Sequence, residues 1–130
     1  MEFSDETKKQ ILNGFIDIFT RIASKEYQKR IWIRGEGPEV DDFDDTVCDF
    51  FVECDSILEN YKYFGITNPQ YLLLAKFRTA FDEFVNGPKP YLTQEFIDTS
   101  EWDKITEMAQ ETLIAFNYQN YTTFSKNEYQ

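Results

Sequence analysis

Apolar residues recur every three or four positions along four stretches of this chain, and the pattern predicts amphipathic helices divided by Gly/Pro punctuation. The first helix is expected over Ser4 to Arg30. Ser4 stands as N-cap, Asp5 and Glu6 follow in the first turn, and Ile11, Phe15, Ile18 and Ile22 form a stripe widened by Leu12, Ile16 and Phe19. Lys25, Lys29 and Arg30 gather at its C-terminal end. Ile31-Trp32-Ile33 marks its exit, and Arg34-Gly35-Glu36-Gly37-Pro38 reads as a loop. A second helix is expected over Val40 to Phe64. With Phe43 at 0° and 100° per residue, Val47, Phe50, Cys54, Ile57, Leu58 and Tyr61 fall within about 60° of it. Gly65 suits the position just past the helix end. A third helix opens with Asn68 as N-cap and Pro69 behind it, carries Leu73 or Leu74 with Phe77, Phe81 and Phe84, and stops at Asn86-Gly87-Pro88. Lys89 to Thr99 is a connection with a short helical turn from Thr93. The last helix begins at Ser100, with Asp103 at the N3 position and Trp102, Ile105, Ala109, Leu113 and Phe116 as its stripe. No segment alternates in the manner of a strand. The expected fold is all-α, a single-domain bundle of four to five helices over 1–130, with 118–130 as an aromatic but polar tail that frays or packs irregularly.

Composition narrows the function. The chain has 130 residues, 42% of them hydrophobic and 18% aromatic, enough for a real core. It contains no histidine, which excludes Ser–His–Asp and Cys–His catalysis, His-ligated metals and histidine pH switches. Its net charge of −11 argues against binding nucleic acid or an anionic membrane through the overall field. Cys48 and Cys54 lie on different helix faces and are expected to be reduced thiols. Met1 to Lys9 lacks the apolar run of a signal peptide, and the longest apolar run, Leu72 to Ala75, is far too short for a bilayer. A cytoplasmic location is expected.

The charge is concentrated. Between Glu36 and Glu59 stand ten acids and no base; outside that window 14 acids face 13 bases. On the helical wheel the acids cover the side opposite the apolar stripe, with Val52 at its centre and Cys48 nearby. Ordinary solvated helix faces interleave Glu with Lys, whereas like charges at i, i+4 disfavour the helix. A face that tolerates such repulsion points to a basic partner. The expected partner-binding set is Asp41, Asp42, Asp44, Asp45, Asp49, Val52, Glu53, Asp55 and Glu59, with Tyr61 and Tyr63 as rim contacts.

Other chemistries fit less well. Asp41-Asp42-Phe43-Asp44-Asp45 matches the D-D-x-x-D pattern of diphosphate-binding enzymes, but the chain is too short for their cavity and lacks a second motif. An EF-hand loop from Asp42 would put Val47 where glycine is needed, and the apolar stripe runs straight through it. There is no phosphate-binding glycine loop and no nucleophile elbow. Phe77, Phe81, Phe84 and Phe116 read as core spacers, and Trp32 and Trp102 as anchors for connections. Neither a cofactor, a metal nor an enzymatic activity is expected.

Several segments together resemble a family: Tyr27 to Trp32 closing a long first helix, then Gly35-Glu36-Gly37-Pro38, Asp42-Phe43-Asp44-Asp45, Thr67-Asn68-Pro69-Gln70, and Trp102-Asp103-Lys104-Ile105 with Ala109. From about Phe15 to Phe116 the chain resembles small bacterial immunity proteins of the contact-dependent growth inhibition and polymorphic toxin type. That resemblance implies a small cytoplasmic protein that binds the C-terminal domain of a cognate toxin, commonly a basic nuclease, and blocks it. It transfers no contact residues, because the toxin-facing surface of such proteins varies; those above come from the charge map. The alternative is an acidic helical adaptor that docks on a basic cellular protein or associates with itself.

Overall fold

A computed structural model of the chain describes residues 4–116. It is all-α: among the described residues there are six helical segments and no strand. They are α1 (Asp5–Ala23), α2 (Lys25–Tyr27, running into a π-helical turn over Gln28–Ile33), α3 (Phe43–Glu59), α4 (Asn68–Asn86), α5 (Thr93–Phe96) and α6 (Ser100–Ala115). Four of these are long, and they pack in a ring, α1 against α3, α3 against α4, α4 against α6 and α6 back against α1. α5 packs on the π turn. The expected tail, 118–130, lies outside the described residues.

The expected helix boundaries hold at several caps and shift at others. Ser4 caps α1, its hydroxyl accepting from the Thr7 amide. The first helix stops at Ala23 rather than Arg30, because Ser24 turns extended and uses its hydroxyl to cap the following turn at Tyr27. α3 is shorter than expected at both ends. Asp42 is its N-cap, accepting from the Asp45 amide at 2.8 Å, so Val40 and Asp41 precede the helix. Past Glu59, the turn to Gly65 closes with bonds from Gly65 to Lys62 and from Ile66 to Tyr61, and Gly65 takes the positive φ of 73° that this closure requires. α4 starts one residue early, and α6 starts at Ser100 as expected but with its cap one residue before that. Thr67 rather than Asn68 caps α4, in a reciprocal capping box with Gln70, and Thr99 rather than Ser100 caps α6.

The core is aromatic and has two centres. Phe50 of α3 is fully buried among Phe15 and Phe19 of α1 and Phe77 and Phe81 of α4, with ring centroids 5.2–5.7 Å away. Trp102 of α6 is equally buried among Trp32, Phe43, Phe84 and Phe96. The two centres are joined through Phe81, which touches both. The expected stripe of α6, Trp102, Ile105, Ala109, Leu113 and Phe116, is buried throughout. Four polar side chains are buried with this core, Gln28, Thr46, Thr106 and Thr112, and Gln28 is the largest of them. Gln28 is fully buried, donates to the carbonyls of Arg21 and Ile22 at 3.0 and 2.8 Å, and accepts from the Trp102 indole at 2.8 Å. It therefore satisfies the Ile22 carbonyl that α1 leaves open where it breaks, adds a second bond to the weakly held Arg21 carbonyl, and ties that break to α6.

Candidate functional site

α3 turns Phe43, Thr46, Phe50, Cys54 and Ile57 into the bundle, which leaves the opposite side to the acids. The ten acids of the 36–59 window do not behave alike. Four are neutralised by bases that lie outside the window in sequence but beside it in space. Glu39 meets Arg30 at 3.5 Å and Glu36 meets Arg34. Asp55 holds Arg78 of α4 in a two-pronged contact, 2.6 and 3.3 Å, and that bond lifts the Arg78 guanidinium further above its ordinary pKa.

Asp41 departs furthest from expectation. Its side chain is only 5% exposed, so it cannot meet a partner at the surface. Its carboxylate accepts from the Tyr27 hydroxyl and the Trp32 indole, both at 2.9 Å, and from the Thr46 hydroxyl at 2.8 Å, with Arg21 3.6 Å away. Burial first, then the bond to Asp41, pushes the Tyr27 phenol well above its ordinary pKa. The wheel placed Asp41 on the acidic face because it assumed helix from Val40. The sequence signal is ambiguous here: Asp41 and Asp42 each precede an acid by three residues, and the structure shows that Asp42 is the cap that starts the helix at Phe43.

Six acids remain: Asp42, Asp44, Asp45, Asp49, Glu53 and Glu59. Among the described residues none of these makes an ion pair. Asp45, Asp49 and Glu53 form one i, i+4, i+8 row. Repulsion from Asp42, then slight desolvation and the charges of Asp41, Asp49 and Asp44, raises the Asp45 pKa. Beside this row runs a second, Cys48, Val52 and Ser56, exposed but uncharged, with Val52 70% open to solvent. Of the expected set, the structure brings together Asp42, Asp44, Asp45, Asp49, Val52, Glu53 and Glu59 on one helix surface. It assigns Asp41 to the interior and Asp55 to Arg78. Tyr61 is half-buried against Tyr71 with its hydroxyl on Asn68, and Tyr63 is half-buried beneath Lys8.

No family model matches this chain, and neither a curated protein nor a solved structure does. The reading of the site therefore rests on its own geometry. Among the described residues no three Cys, Asp or Glu side chains are placed to hold a metal ion, and no helix is long and apolar enough to cross a membrane. A shallow crevice between α1 and α6, too narrow to admit a water molecule, is lined by Phe15, Ile16, Phe19, Thr112, Leu113 and Phe116, with no titratable group in it. What the surface offers is a row of bare carboxylates beside a small apolar centre. Chemically, that arrangement can attract and pair with cationic side chains.

Proposed function

We propose that this protein is a non-enzymatic inhibitor of the immunity type, which binds a cognate toxin domain with a basic surface, a nuclease in the first instance, through the exposed side of α3. The observation that carries the reading is the unpaired row Asp45, Asp49 and Glu53 beside Val52, in a window where Glu36, Glu39, Asp41 and Asp55 are matched by arginines. The carboxylates steer a cationic partner and pair with the Lys and Arg that would otherwise hold nucleic-acid phosphates. Val52 and Cys48 supply the uncharged centre that such a contact needs. The compact interface in this reading occludes or distorts the partner's catalytic groove. In this reading the protein acts in the cytoplasm.

The test is co-purification with the product of the adjacent upstream gene, followed by association kinetics at rising salt. Steered association falls by about tenfold or more between low and high ionic strength. The variant Asp45→Asn/Asp49→Asn/Glu53→Gln should slow it to a similar degree with the circular dichroism spectrum unchanged. Association indifferent to both salt and the triple variant would refute the site. A neighbouring gene with no secreted toxin, and capture of a basic cellular protein instead, would favour the adaptor over immunity.

A further inference from the structure

The buried Asp41 carboxylate collects donors from three elements. Arg21 of α1 stands 3.6 Å away as an ion-pair partner, Tyr27 precedes the π turn, Trp32 lies within it, and Thr46 stands in the first turn of α3. Tyr27 and Trp32 are five residues apart. In an α-helix that spacing would separate them by about 140° around the axis, so both could not reach one oxygen. Over Gln28–Ile33 the chain is π-helical, with the Arg34 amide bonded back to Lys29 and the turn widened by about one residue. The widening returns Trp32 to the side of Tyr27. Their rings stand 6.4 Å apart and both donate to the same Asp41 oxygen. Thr46 completes the arrangement. Its hydroxyl spans both Asp41 oxygens, at 3.0 and 2.8 Å, instead of bonding back to its own helix.

We propose that Asp41 is a positioning residue, a latch that fixes the N-terminal turn of α3 to the π turn and so sets where Asp42, Asp44 and Asp45 stand. Without it, the segment from Arg34 to Asp42 is held mainly by exposed contacts, the ion pairs of Arg30 with Glu39 and of Arg34 with Glu36. The π turn and the carboxylate are then a matched pair, since the turn alone brings two of the donors to bear. The assignment is independent of what the acidic face binds.

Amide hydrogen exchange on Asp41→Asn tests it without a partner. The variant keeps the shape of the side chain but removes the charge and turns one oxygen into a donor facing donors. Exchange at residues 35–46 should speed by about tenfold or more, including the Asp45 and Thr46 amides that bond to Asp42, while α4 and α6 change by less than about twofold. Equal acceleration in every helix would show that Asp41 serves global stability only, and would overturn the proposal. So would unchanged exchange over 35–46. If Asp41→Asn does not fold, Tyr27→Phe and Thr46→Val each remove one donor. Both should give the same local pattern at smaller size, and a uniform or absent response in both would overturn the latch.

Discussion

Replacing Gln28 with leucine should cost more than most core substitutions of equal volume. The amide meets three groups in a site with no access to water: the carbonyls of Arg21 and Ile22 and the Trp102 indole N–H. The Arg21 carbonyl retains a long bond from the Ser24 amide at 3.4 Å, so two groups lose their partner outright. A buried polar group left unsatisfied costs about 1–3 kcal/mol, and the greasier side chain returns part of that; the net loss is about 3 kcal/mol. For a domain of this size such a loss lowers Tm by about 11 °C. Urea denaturation followed by far-UV circular dichroism should show a lower midpoint at an unchanged slope. The cycle with Trp102→Phe isolates the indole bond. That change removes the orphaned N–H, so the double variant should lose about 1 kcal/mol less than the sum of the singles. A Gln28→Leu loss below about 1 kcal/mol, or strictly additive singles, would refute the account of Gln28 as the bond between the break in α1 and α6.

Four further outcomes follow from the same structure. Phe50→Ala removes the ring at the centre of the first aromatic group and should cost about 3–5 kcal/mol by urea denaturation. Thiol reagents near pH 8 should label Cys48 at once and leave Cys54 untouched, since Cys54 is buried and burial pushes its pKa up to about 12. The unfolded thiol titrates near 9, so the stability that Cys54 contributes is whole below that pH and declines as pH rises from 9 towards 12; the wild type should lose stability across pH 9–10 faster than Cys54→Ala does. Salt should raise Tm, by screening the Asp45, Asp49 and Glu53 row, and the triple amide variant should abolish most of that rise.

Periodicity and capping signals carried most of this fold. The stripes of α3, α4 and α6 are local patterns, and so is the glycine at position 65, whose conformation is set by its own turn. The break at Ser24 and the π turn were not legible, because apolar residues continue in helical phase past Ala23 and the carboxylate that Tyr27 and Trp32 share, at position 41, lies eight residues beyond the end of the turn. The charge map was half right for a related reason. Counting along the chain finds a window without a base. It cannot find Arg21, Arg30, Arg34 and Arg78, which reach into that window from α1, the π turn, its exit and α4. The acids that stayed bare are those on the part of α3 that faces away from every other helix.

The π turn also marks a place where this chain can change length. A π turn is an α-helix carrying one surplus residue, which the widened turn absorbs without turning its two flanks against each other. Dropping one position from 29–31 would restore regular winding and leave Tyr27 and Trp32 at an i, i+4 spacing, about 40° apart, so that both still face the same side. The 88–92 connection, exposed at Tyr91, takes up a change of one residue as a surface loop does. Among homologous chains, losses of a single residue should therefore be found at 29–31, where the turn becomes α-helical, as well as at 88–92.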